Sequence, residues 1–131
     1  MTQHIGAIAL LVREYDEAID FYVNKLGFTL LEDTDMGGGK RWVRVAPAGA
    51  IETAILLARA VNEKQIASVG NQAGGRVWLF LHTDNFENDY AAMQLRGVKF
   101  LETPRNEAYG MVVVFEDLYG NRWDLLGQFA S

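Results

Sequence analysis

Gly27 and Gly97 each end an amphipathic segment and open an apolar one, and similar letters follow them: GFTLLE at 27–32 and GVKFLE at 97–102. The two glycines stand 70 positions apart. A period longer than about 50 residues marks duplicated modules, not a solenoid. Each half must therefore fold as the same small α/β unit, and the periodicity around each glycine says which. Ile5–Val12 (IGAIALLV) reads as a buried strand, a short apolar run bounded by glycine and charge. Ile19, Tyr22, Val23 and Leu26 follow at helical spacing, with Asp16 and Glu17 in the first turn and Gly27 as the stop. Thr29–Glu32, Arg41–Ala46 and Thr53–Ala58 read as strands, separated by the GGG turn within 35–40 and by Pro47, Gly49 and Ala50. Residues 60–76 have little periodicity and room for one helical turn.

The order then repeats. Val77–Leu81 is a strand, and Asp84 with Glu87 has the spacing of a capping box. Phe86, Tyr90 and Met93 make a helical stripe that Gly97 ends. Val98–Glu102, Met111–Phe115 and Arg122–Leu126 are strands, with a loop at 104–110 and a DLYGN turn at 117–121. Phe80 fits the core. The expected fold is α+β: two tandem βαβββ modules, at about 4–60 and 77–127, joined by a linker over 61–76. Each four-stranded sheet with one outer helix leaves an open apolar face, and covering both faces predicts a cup-shaped, half-barrel-like cleft.

Of 131 residues, half are apolar and 22% charged, as in ordinary globular domains. The net charge of −5 argues against a nucleic-acid partner and favours steering a cationic ligand. No apolar stretch is long enough to span a membrane. MTQHIG has no features of a leader, and the absence of cysteine excludes disulfides and thiolate chemistry, so a cytoplasmic setting is expected.

DEAIDFYVNKLGF at Asp16–Phe28 and EDLYGNRWDLL at Glu116–Leu126 resemble the two signatures of the vicinal oxygen chelate superfamily, which includes glyoxalase I, bleomycin-resistance proteins and extradiol dioxygenases. The resemblance spans roughly residues 5–127. It implies a duplicated βαβββ fold, usually a homodimer, and a cup that often holds a divalent metal. The family's ligand positions fall on Ala7, on Ile55 or Leu56, on Trp78 with Val77 as the neighbouring register, and on Asp124. Of these only Asp124 offers a donor, and a lone carboxylate does not hold a divalent ion against water. A rearranged set of Glu52, His82 and Asp124 is the alternative; His4, near the terminus, is expected to face away from Ala7.

The expected ligand pocket comprises Trp42, Arg44, Trp78, His82 and Asp124. Asp124, flanked by Trp123 and Leu125, suits an acid or base in partly dry surroundings; its plain alternative is a structural ion pair with Arg44 or Arg122. His82 suits a base or a ligand-orienting group, or else a satisfied histidine at a strand end. Trp42 and Trp78 offer an aromatic wall, and Arg41 with Arg44 a clamp for carboxylate or phosphate. Glu116 and Asp117 read as turn-setting. GGGK at 37–40 lacks the Ser/Thr and following helix of a phosphate loop. The functional expectation is a metal-free small-molecule binding protein. The alternatives are a metal-dependent lyase, isomerase or dioxygenase using the rearranged set, or a metal-free enzyme with Asp124 or His82 as general base. Exposed strand edges add to the expectation of a homodimer.

Overall fold

The computed structural model describes residues 1–50 and 52–127. The chain divides into two compact units, Met1–Val69 and Gly70–Ser131. Both are α+β, each with one open sheet and few helices.

In unit 1, β1 (Ala7–Val12), β2 (Thr29–Gly37), β3 (Lys40–Ala46) and β4 (Ala54–Arg59) assemble in the order β1-β4-β3-β2. β1 runs parallel to β4, and the other pairs are antiparallel. The register gives the sheet two unlike faces. Leu10, Val12, Val43, Val45, Ile55 and Leu57 share the buried one. Ala7, Ala9, Leu11, Trp42, Arg44 and Leu56 share the open one.

The first helix departs from the simple stripe. α1 (Tyr15–Ile19) continues as a π-helical segment, Asp20–Lys25, in which the Leu26 N–H reaches the Phe21 carbonyl at 3.0 Å. The wider turn brings the neighbours Phe21 and Tyr22 both inward, beside Tyr15, Ala18 and Leu26, and leaves Ile19 and Val23 half-buried. Tyr22 is fully buried between the Phe21 and Phe28 rings, at 5.2 and 5.6 Å. Gly27 at φ +82 closes the segment.

Unit 2 repeats the plan with β5 (Val77–Thr83), α3 (Phe86–Leu95), β6 (Lys99–Phe100), β7 (Arg105–Glu107), β8 (Gly110–Glu116) and β9 (Arg122–Gly127). Its order is β5-β9-β8-β6, with β7 also paired to β8 and β5 parallel to β9. Trp123, Leu125, Val113 and Phe115 form its buried face.

Three expectations need correction, and the linker's helical turn is filled in. The 104–110 loop contains β7, because Arg105–Glu107 finds backbone partners on β8. The 60–76 linker holds α2 (Glu63–Ser68), capped by the Asn62 side chain accepting from the Gln65 N–H at 2.9 Å. Asp84 does not cap α3: Thr83 Oγ1 accepts from the Asn85 N–H and donates to Asp89, taking up the polar groups at that end. Phe80 is 59% exposed, because the β5–β9 register turns it away from the buried face.

Candidate functional site

The pairing of β3 with β4 covers Val43↔Leu57 to Val45↔Ile55. Lys40–Trp42 and Ala58–Arg59 lie beyond it, and a cavity of about 370 Å³ opens where the two strands part. The Tyr15 hydroxyl takes the place of a ladder partner, accepting the Arg41 backbone N–H at 3.1 Å. The buried Tyr15 ring lies beneath two guanidinium groups, Arg41 at 5.2 Å and Arg59 at 5.7 Å from its centroid. Leu11, Leu56 and Ala58 form an apolar wall, Trp42 stands 37% exposed beside them, and Val61 and Gln65 complete the rim. The volume and the mix of apolar wall with few polar groups are those of small-molecule sites.

The expected arginine clamp is not available. Arg41 grips both Asp33 oxygens, Nε–Oδ1 at 3.1 Å and Nη2–Oδ2 at 2.7 Å, and Nη1 meets Asp16 at 2.8 Å. The hydrogen bonds to Asp33 and then Asp16 raise the Arg41 pKa, and Arg41 in turn lowers that of Asp33. Arg44 on the open face is held by Glu32 at 2.9 Å. Arg59 is engaged differently: its ion-pair partner Glu14 is 3.9 Å away, beyond hydrogen-bonding reach. Sequence reasoning missed Arg59 and Tyr15. Nothing in TAILLAR or REYDEA distinguishes them from ordinary strand-end and helix-start residues.

The remaining expected residues lie in unit 2. Asp124 pairs with Phe80 on β5 and Val114 on β9's other neighbour, β8, and shares a sheet face with Phe80 and His82. Its Oδ1 is sequestered without a hydrogen-bond partner among the described residues. Burial raises its pKa; Arg105 opposes this and Glu102 adds to it. His82 is exposed and opposite Leu126, two residues and roughly 7 Å along the strand from Asp124's level. Trp78 turns its ring edge-on to Trp123 at 5.5 Å, and Trp123 stacks on Phe115 at 5.8 Å, so Trp78 extends the core aromatic cluster. The bulge between Val77 and Leu79 breaks the alternation that would have put Trp78 with His82.

The metal positions can be tested on their donor chemistry. The register puts Leu56, not Ile55, on the face of Ala7. Ala7 and Leu56 offer no lone pair, and Asp124 remains the one donor of the family set. Glu52 precedes β4 and is exposed. Within either unit, no three His, Asp or Glu side chains among the described residues group to hold a metal. His4 is exposed ahead of β1. The side chains present do not fit the family's metal.

Asp124 carries a pH prediction. Folding favours its protonated form, so the folded protein binds that proton more tightly than the unfolded chain, where the carboxyl has its ordinary value of 3.8. Stability attributable to Asp124 falls as pH rises from 3.8 through the raised folded value, and the cost is complete above it. Asp124→Asn, which cannot ionise, should gain stability over wild type at pH 7 and lose that advantage below 3.8. Urea melts at both pH values check it; an advantage independent of pH would assign the effect to packing.

Each unit is an open sheet with its first and last strands parallel, and unit 1 carries a cavity lined by apolar and cationic side chains. The sequence profile described as Glyoxalase/Bleomycin resistance protein/Dioxygenase superfamily matches residues 4–125, and the chain belongs to that superfamily. A protein of Shewanella frigidimarina (strain NCIMB 400) is 59% identical over 127 residues, 96% of this chain and 94% of its own. The crystal structure of UcmS2 is similar with a TM-score of 0.83 and 27% identity, covering 96% of this chain and 98% of UcmS2. That of TnmS3, an antibiotic binding protein from Streptomyces sp. CB03234, has a TM-score of 0.79 and 32% identity, covering 97% of each chain. Among the described residues, no helix is long and apolar enough to cross a membrane.

Proposed function

We propose that the protein binds a small, largely apolar molecule and does so without metal; its similarity to TnmS3, an antibiotic binding protein, supports the binding part. The observation that carries this reading is the cavity of about 370 Å³ at the parting of β3 and β4, walled by Trp42, Leu56 and Ala58. The absence of lone-pair donors at Ala7 and Leu56 supports the metal-free part. A rigid indole beside an aliphatic wall suits a flat ring system, which gains dispersion and buried area at little cost in side-chain entropy.

The test is a titration with a panel of aromatic antibiotics, followed by tryptophan fluorescence with and without EDTA. We expect saturable quenching, unchanged by EDTA, with the compound recovered intact. Trp42→Ala should weaken binding at least tenfold, roughly the 1.4 kcal/mol or more that an aromatic contact of this kind contributes. Turnover of the bound compound, or loss of binding on chelation, would overturn the reading. A second reading, a metal-free enzyme, has the unpartnered Asp124 Oδ1 in its favour. It requires that Asp124→Asn abolish turnover while binding persists. Pairing as a homodimer through exposed strand edges belongs to the same proposal, and sedimentation equilibrium checks it.

A further inference from the structure

We infer that the cavity of unit 1 selects for charge: it takes a flat organic anion, an aromatic carboxylate by class, with the acid group at Arg59 and the ring against Trp42. This rests on reading the cavity as a ligand site and adds the sign of the ligand.

Three cations line the cavity, Lys40, Arg41 and Arg59, and no Asp or Glu does. They are not equivalent. Arg41 is held by Asp33 and Asp16, with all three of its nitrogens bonded to a carboxylate, and serves as structure. Arg59 meets Glu14 only at 3.9 Å, and 64% of the Glu14 side chain is exposed, so water screens that pair. The Arg59 guanidinium lies over the Tyr15 ring, 5.7 Å from its centroid. Lys40 makes no ion pair among the described residues and adds a second positive charge at the rim. A carboxylate against a guanidinium edge gains two parallel charge-assisted hydrogen bonds. Trp42 and Leu56, which line the same cavity from the open face of the sheet, supply the apolar surface an aromatic ring needs.

The net charge of −5 points to the opposite ligand. Charges farther than about 8 Å are largely screened at physiological salt, so the nearby groups decide the preference: Asp33 and Asp16 are spent on Arg41, Glu14 stands 3.9 Å from Arg59, and Lys40 adds its charge at the rim.

The probes are 2-naphthoate and its neutral isostere 2-naphthamide, titrated into the wild-type protein with Trp42 fluorescence as the reporter. We expect naphthoate to bind at least tenfold more tightly. The preference should shrink toward unity in Arg59→Met, be largely retained in Arg59→Lys, and weaken with added salt. Because the wild-type comparison needs no substitution, it stands even if Arg59→Met fails to fold. Equal binding of the two probes, or tighter binding of the amide, overturns the charge preference and leaves the ligand site intact. If neither probe binds, the ligand-site reading of this cavity falls and the inference with it.

Discussion

Asp117→Ala should destabilise unit 2 by about 4 kcal/mol, a fall in Tm on the order of 10 °C. Asp117 is 5% exposed and organises the turn between β8 and β9. Its Oδ1 accepts the Tyr119 and Asn121 N–H groups, each at 2.9 Å, and its Oδ2 accepts Asn121 Nδ2 at 2.9 Å. Asn121, 3% exposed, passes the constraint on, its Oδ1 accepting the Gln72 N–H at 2.9 Å. Removing the carboxylate loses these hydrogen bonds and strands their donors where water has poor access. Such losses cost far more than exposed bonds do. Asp117→Asn keeps an oxygen toward the backbone and should cost about half as much. Chemical denaturation followed by Trp78 and Trp123 fluorescence measures both. A cost below about 1 kcal/mol for the alanine variant would mean that water replaces the carboxylate, and that the turn is not held as described.

Gly70→Ala should cost about 3 kcal/mol, from crowding and backbone strain together. A Cβ at position 70 would lie 2.1 Å from the Tyr119 carbonyl oxygen, which belongs to the backbone of the same turn and cannot swing aside. The residue also sits at φ +78, where an L side chain is strained. Gly74→Ala is the control. It has a similar φ of +65 but open space around the added Cβ, so it should show the backbone strain alone, about 1 kcal/mol. Equal losses at the two positions would remove close approach as the cause. Because Gly70 and Asp117 act on the same turn, the double variant should lose less than the two single losses added.

Much of this turn was legible beforehand. Asp117 reads as turn-setting from DLYGN alone, and its buried hydrogen bonds are what that reading requires. The repeat around Gly27 and Gly97 announces two α/β units, and both signature segments fall where the superfamily profile matches. Phe80 was misread because strand periodicity does not say which of two alternating sets is buried. The β5–β9 register decides that, and it puts Leu79 and Leu81 with Trp123 and Leu125. Of the first helical stripe, Tyr22 and Leu26 are buried as expected, whereas Ile19 and Val23 are only half-buried because a π-turn adds a residue that 3.6-residue counting does not contain. Trp78 was expected in the ligand pocket, but next to the irregularity between Val77 and Leu79 its ring meets Trp123 edge-on.

By itself, the order of residues announces the duplicated element plan and the superfamily, and it carries no lone-pair donor at Ala7, Ile55 or Leu56, the positions to which the resemblance points for ligands. These depend on local spacing and on which atoms a side chain carries. Tertiary structure alone decides which arginines are held in close ion pairs. Arg41, Arg44 and Arg59 are chemically alike, but β2 brings Asp33 and Glu32 alongside the first two, whereas the parting of β3 from β4 leaves the third at the mouth of a cavity. Ion pairing depends on distances of a few ångströms between strands far apart in sequence, and those distances exist only once the sheet has formed.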